Sequence, residues 1–364
     1  MTSAAQTIPA LSDWIGRVVS VHFDPDGGTP YWLERQRELG IDARREIRSL
    51  DDLLRFGPMD ESALSKLPIE HLIPRMMLER RAELVVGETA GTLGAPKYAV
   101  HRADEFHAAF VEPFVAAAAR AGFPREVNWL FIGPSGPHII GKAARACASA
   151  MGSADPFTID LDPRWAKKLP PGSFGWKRYV AHVEQQALLI LDTQEIGVIF
   201  STPVVLDGLI PRLPPSQRSR IRGIHLGGVS VSPEQHGNLE RAFPGAVILS
   251  GYGNTLFGMM PELAYSAKTG FDYFPHGLRL IVRSVVCDGD PGAGVRRDAA
   301  PGERGRVVVT RLSETQLILN LIERDTAIRV APPRELAKVG FVLDGLRDPA
   351  PIMNAEVRPA VGLY

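Results

Sequence analysis

The 364-residue sequence has no surplus of charge: 41 lysines and arginines face 41 aspartates and glutamates. Binding a polyanion by neutralising its phosphates needs a positive surplus, so a general nucleic-acid binder is excluded, while a local anion site is not. Cysteine is scarce. Cys147 and Cys287 are too few for a disulfide framework or a thiolate zinc site, so a reducing, cytoplasmic compartment is expected. Both read as core packing. Long hydrophobic runs are missing. The longest uncharged apolar stretch, Ile196 to Leu206, contains a proline and is too short to span a bilayer. Met1 to Trp14 lacks the basic start and apolar run of a signal peptide. The histidines are scattered. His101 and His107 are six residues apart, which does not place both on one helix face as a metal pair.

What is present suits a globular enzyme. Hydrophobic residues make up 45% of the chain, and 35 glycines and 30 prolines fall short of low-complexity disorder. The length leaves room for about two domains at roughly 150 residues each. Residues 1–87 read as charged helices, among them Tyr31 to Gly40 with a C-cap glycine and a capped turn at Ser49 to Asp52. Residues 104–122 predict a helix that Pro113 should kink. Trp129 to Ile132 predicts a strand, Gly141 to Met151 a small-residue helix, and 153–177 a proline-rich loop. That loop carries Trp165, Lys167, Lys168, Trp176, Lys177 and Arg178, a mixture best read as solvated surface.

Strands and helices then alternate. Ala187–Leu191, Gly197–Ser201, Ile221–Leu226 and Ala246–Ser250 are the expected strands, with helices at Pro203–Leu213 and Ser232–Phe243. This alternation implies a parallel sheet covered on both faces, with ligands at the carboxyl ends of the strands. The loops after Leu226 and Ser250 are therefore the places to look. From Gly277 the pattern turns all-β, predicting a small antiparallel sheet or barrel beside the parallel one.

The sharpest motif is Thr89-Ala90-Gly91-Thr92-Leu93-Gly94-Ala95-Pro96-Lys97. Its backbone N–H groups, hydroxyls and lysine can cradle a phosphate, although it is not a Walker loop. It matches T-S-G-T-T-G-x-P-K, the phosphate-loop signature of adenylate-forming enzymes, with Ala90 and Leu93 replacing hydroxyl residues. Four more segments follow in that family's order. Leu226-Gly-Gly-Val-Ser230 resembles the stretch beside the adenine, and Gly251-Tyr-Gly-Asn-Thr255 resembles Y-G-x-T-E. Residues 302–312 resemble G-E-x-G-E-L-V-V-T-x-L, and Asn320 to Asp325 resembles R-Y-R-T-x-D. The opening segment, Gly136 to Gly141 and Thr202-Pro203 are similar to the phenylacetate–CoA ligase branch, and the chain resembles lidless members of the kind that act in phenazine biosynthesis.

The resemblance implies an α/β fold: parallel sheets flanked by helices plus a small C-terminal β subdomain, the large N-terminal part of the adenylate-forming fold with its C-terminal lid missing. The implied divisions are a helical segment at 1–87, an α/β core at 88–276, a β subdomain at 277–335 and a stub at 336–364. The implied activity is ATP-dependent conversion of an aromatic or heteroaromatic carboxylic acid to its acyl-adenylate. The acceptor could be CoA, an amine or a carrier protein. A homodimer is expected, with no nucleic-acid or membrane partner.

By the same resemblance Thr89, Ala90, Gly91, Thr92, Gly94 and Lys97 hold the phosphates. Gly227, Gly228, Val229, Gly251, Tyr252 and Gly253 enclose the adenine. Asn254 and Thr255 contact the α-phosphate or the carboxylate, and Asp325 holds the ribose. Phe131, Gly133, Ser135 and His138 line the acyl pocket, though His138 reads equally as a structural histidine. Leu256 stands where a Mg²⁺-binding glutamate is expected, which puts metal use in doubt. The other readings are a catalytically impaired homologue that binds an acid or adenylate, or a protein whose partner supplies the second half-reaction.

Overall fold

The computed structural model describes residues 4–89, 91, 95–228, 230–266, 268–286 and 297–352, with side chains from Ala10 onward. Its strands are β1 (Leu84–Glu88), β2 (Tyr98–Arg102), β3 (Asn128–Gly133), β4 (Phe157–Asp160), β5 (Ile196–Ser201), β6 (Gly223–Leu226) and β7 (Val247–Asn254). They continue with β8 (Gly258–Ser266), β9 (Gly270–Tyr273), β10 (Leu280–Val285), β11 (Arg304–Arg311), β12 (Ile318–Val330) and β13 (Gly345–Pro351). Among the described residues β1 and β2 form a hairpin. The others form one eleven-stranded sheet in the order β10-β11-β12-β13-β9-β8-β7-β6-β5-β3-β4.

The sheet has a parallel and an antiparallel half. Strands β4, β3, β5, β6 and β7 run parallel. Their side chains alternate between two buried faces, as a covered parallel sheet requires. Trp129, Phe131, Val198 and Phe200 pack toward helix Ile139–Ala150 and toward Phe106, Phe110 and Phe114. Leu130, Ile132, Ile199, Ile224 and Leu226 pack with Val183, Leu191, Leu206 and Leu239 on the other side. The halves meet in β7. Val247–Ser250 pairs parallel with β6, whereas Gly251–Asn254 pairs antiparallel with β8. The backbone after Ser250, expected as a loop, is thus the continuation of a strand. Gly253 is required there, because a Cβ would stand 2.0 Å from the Gly258 carbonyl oxygen.

One strand expectation is overturned. Ala187–Leu191 lies inside helix Phe174–Thr193, whose Ser173 cap accepts from the Trp176 N–H. A short apolar run fits either state. The buried set Val183, Ala187 and Leu191 recurs every four residues, and that periodicity belongs to a helix. Residues 153–177, expected as loop, contain β4, the short helix Pro163–Ala166 and the start of that long helix. Pro113 perturbs its helix as expected, with a π-helical stretch at His107–Val111 just before it. Capping boxes form at Ser49/Asp52, where a capped turn is expected, and at Ser232/Gln235. In the region expected to be all-β, residues 318–330 form one long strand, β12, and residues 345–351 supply β13, inserted between β12 and β9.

The N-terminal helices dock on this sheet through Phe23, Trp32 and Phe56, whose rings lie 5.3–6.4 Å apart. Indole N–H groups of Trp14 and Trp32 donate to the carbonyls of Leu312 and Leu317, 3.0 Å each. Beneath them Arg311 is fully buried. It donates to the carbonyls of Val100 (2.6 Å) and Leu256 (2.9 Å) and to Ser313 Oγ (3.1 Å). Burial pulls its pKa down to about 10. Cys147 is buried in helix Ile139–Ala150, and burial pushes its thiol up to about 12, which leaves it inert. Cys287 lies outside the described residues. No described helix is long and apolar enough to cross a membrane.

Candidate nucleotide and acyl site

The phosphate-loop motif leaves the edge of β1 and returns into β2. Its neck is closed by two hydrogen bonds: Thr89 N–H to the Lys97 carbonyl (2.9 Å) and Lys97 N–H to Thr89 Oγ1 (3.0 Å). Gly91 has φ 58°, a left-handed conformation that glycine adopts readily. Ala90, Thr92 and Gly94 lie outside the described residues, as does Val229. Lys97 Nζ is paired with Glu61 of the N-terminal segment.

The second part of the site comes from alternation on two strands. Tyr252 and Asn254 are two apart on β7, and Glu323 and Asp325 are two apart on β12, so each pair shares one face of its strand. The antiparallel half curls enough for these faces to meet. Tyr252 OH donates to Asp325 Oδ2 (2.7 Å), and Asn254 Nδ2 donates to Glu323 Oε1 (3.1 Å). The Leu256 N–H donates to Asn254 Oδ1 (2.9 Å), which fixes the amide's orientation. Burial pushes the Tyr252 phenol well above its usual range, and the Asp325 and Glu323 charges add to this. Burial also raises both carboxyls. For Glu323 the value reaches about 7, with Asp325 and Glu61 adding repulsion against the favourable Asn254 hydrogen bond and Lys97 charge.

Thr255 joins the loop to this cluster, since its Oγ1 donates to the Glu88 carbonyl (3.3 Å). Glu88 also pairs with His138 through an isolated parallel bridge, and its carboxylate takes Arg164 Nη1 at 2.8 Å. Arg164, from the helix after β4, is held by Asp162 as well (3.2 Å). Ser135 is anchored on Asp160 by its N–H (2.9 Å) and its hydroxyl (2.8 Å). Gly133 ends β3, and its carbonyl accepts the Leu161 N–H. Phe131 is buried against Phe200, ring centroids 5.2 Å apart. At the end of β6, a Cβ on Gly227 would come within 3.1 Å of the Phe200 ring, and Gly228 has φ 84°. Gly251 sits over Met259, which a Cβ would approach to 2.9 Å.

Thr255 and His138 thus meet at Glu88, Lys97 is paired with Glu61, Asn254 with Glu323, and Tyr252 with Asp325. The sequence reading did not assign those three glutamates, nor Arg164. Glu323 left a signal, an acid where the resembled motif has threonine. Glu61, Glu88 and Arg164 left none, because each acts through a fold-dependent contact.

Among the described residues, the side chains do not fit a divalent cation held by the protein. Leu256 is 2% exposed, with its side chain in the core. Glu262 is engaged with Ser250 Oγ (2.7 Å). Among the described residues no group of three acidic, histidine or cysteine side chains could hold a metal.

Neither a protein-family model nor a curated protein matches the sequence. Solved structures do. An open conformation of 2-hydroxyisobutyryl-CoA ligase, in complex with 2-HIB-AMP and CoA, superposes with TM-score 0.66 at 16% identity, covering 98% of this chain and 79% of that one. The same ligase in the postadenylation state, in complex with 2-HIB-AMP, gives TM-score 0.63 at 17% identity, covering 96% and 67%. The chain has the adenylate-forming fold. At such identity the likeness speaks for the architecture, and the chemistry has to be argued from the side chains.

Proposed function

We propose that this protein activates a carboxylic acid with ATP, forming an acyl-adenylate and pyrophosphate. The observation that carries the proposal is the meeting of Tyr252–Asp325 and Thr255 with the neck of a Gly/Thr/Lys loop. Such an arrangement can grip both ends of a nucleotide. An oxygen of the acid's carboxylate attacks the α-phosphorus, and the bond to the β-phosphate oxygen breaks. Catalysis of this kind rests on positioning and charge stabilisation. Lys97 meets the β- and γ-phosphates after leaving Glu61. Thr255 meets the α-phosphate or carboxylate, Asp325 takes the ribose hydroxyls, and Tyr252 with Gly227 and Gly228 bounds the adenine.

The acid is proposed to be aromatic or heteroaromatic, in secondary metabolism of the phenazine-antibiotic kind, with CoA, an amine or a carrier protein as acceptor. A cytoplasmic homodimer divided at residues 87, 276 and 335 belongs to the same reading. The 2-HIB-AMP of the similar ligase structures is the kind of product envisaged. ATP–pyrophosphate exchange against a panel of aromatic acids tests the proposal. Acid-dependent exchange supports it. If neither ATP nor AMP raises the melting temperature, adenylation is ruled out. The second reading, nucleotide or adenylate binding without turnover, is favoured by Leu256 and by the Glu61 carboxylate on Lys97. Calorimetric ATP binding with no exchange would select it.

A further inference from the structure

Lys97 is the cation assigned above to the β- and γ-phosphates, and its Nζ is paired with the Glu61 carboxylate. Both backbones are fixed. Lys97 is held at the neck of the loop by its two hydrogen bonds with Thr89. Glu61 lies on an N-terminal segment pinned to β12. There the Met59 N–H donates to the Leu319 carbonyl (3.1 Å), and Asn320 Nδ2 donates to the Gly57 carbonyl (3.0 Å). Ala63 and Leu64, both buried, anchor the same segment just beyond Glu61. The ion pair is therefore made and broken by rotation of two side chains, without moving either backbone.

Carboxylate and phosphate oxygens are the same kind of charged acceptor for an ammonium group. Glu61 thus occupies Lys97 as a terminal phosphate would. The neighbouring acids are engaged elsewhere: Glu323 accepts from Asn254, and Asp325 accepts from Tyr252. Among the described residues Glu61 is the carboxylate paired with Nζ, and at 43% exposure it can turn toward solvent when a phosphate arrives. AMP and an acyl-adenylate carry no phosphate beyond the α position, so neither competes for Lys97.

We propose that Glu61 is an internal competitor for the phosphate-binding lysine, yielding Lys97 to ATP and reclaiming it when pyrophosphate leaves. The consequence is directional. The site is weakened for ATP and pyrophosphate but not for the adenylate, so pyrophosphate is shed and its return attack on the adenylate is suppressed. Glu61 is a positioning residue acting through Lys97, and its role rests on the adenylation reading. Calorimetry with ATP, pyrophosphate and AMP tests it. Glu61→Gln should tighten ATP and pyrophosphate about three- to fivefold, the scale of a partly exposed ion pair, and leave AMP within about twofold. In a Lys97→Ala background the same substitution should leave all three affinities unchanged. Equal shifts for ATP and AMP would mark a merely structural effect. A tightening that persists beside Lys97→Ala would mark direct repulsion of phosphate. Either result overturns the proposal, and so does an ATP-to-AMP affinity ratio that Glu61→Gln does not move while both nucleotides still bind. If the wild-type protein binds neither ATP nor AMP, the adenylation reading itself falls, and this proposal falls with it.

Discussion

Glu323→Gln separates the electrostatics of the site from its shape. Glu323 is enclosed by Asn254, Asp325, Lys97 and Glu61, and its pKa rises from the ordinary 4.5 to about 7. A carboxyl raised by folding binds its proton more tightly in the native state. Its contribution therefore favours the fold below about pH 4.5 and is lost progressively as pH climbs to about 7. At 1.36 kcal/mol per pH unit of displacement the full cost is about 3 kcal/mol, and partial solvent access reduces it to about 1–3 kcal/mol. Glutamine keeps an oxygen for the Asn254 Nδ2 donor and removes the charge. The variant should thus be about 1–3 kcal/mol more stable than wild type at pH 8 and near parity at pH 4.5, by denaturant unfolding at both pH values. ATP should also bind the variant more tightly at pH 8, because a negative charge close to Lys97 is gone. An unfolding free-energy difference that does not change between pH 4.5 and 8 would refute the assignment of a buried, proton-holding carboxyl.

Other outcomes follow from the same contacts. Lys97→Ala should weaken ATP about tenfold or more by calorimetry while leaving AMP nearly unchanged, since the lysine is assigned to the β- and γ-phosphates. Asp325→Ala should weaken ATP and AMP alike, because the ribose is common to both, and unchanged exchange in both variants would sink the site assignment. Leu256→Glu should lower the melting temperature by burying an unpaired carboxylate, at a cost of about 3 kcal/mol, and should not raise exchange activity. Arg311→Met should destabilise by about 3–5 kcal/mol in denaturant titrations, because the Val100 and Leu256 carbonyls lose their buried donor.

Local signals carried much of the fold. The capping boxes at Ser49 and Ser232, the buried β-branched strands and the disturbance before Pro113 are each written in a few adjacent residues, and each forms. Ala187–Leu191 was misread because five apolar residues contain less than two helical turns, and the periodicity that decides the case extends back to Val183. The loop, Tyr252, Thr255 and Asp325 were legible through motif order. Their glutamate partners were not, since Glu61 meets Lys97 and Glu323 meets Asn254 only after segments 36 and 69 residues apart fold together. Asn320 shows the same limit. Its φ of 53° and its bonds to the Leu53 and Gly57 carbonyls (3.0 Å each) are invisible without the docked N-terminal segment.

The absence of a glutamate at 256 has a cause wider than that one side chain. Strand β7 places Tyr252 and Asn254 on the face toward β12, and the chain then turns sharply into β8. At the turn the Leu256 N–H is taken by Asn254 Oδ1 and its carbonyl by Arg311, so the backbone at 256 is held from both sides. The side chain is directed into the core. An acid introduced at 256 would meet apolar packing. Arg311 is itself committed to Val100 on β2, the strand that receives the phosphate loop. The turn after β7 and the return of the loop are therefore braced by one buried guanidinium. A cation site here would have to be built by repacking that brace, and Leu256 records a turn already settled in a different arrangement.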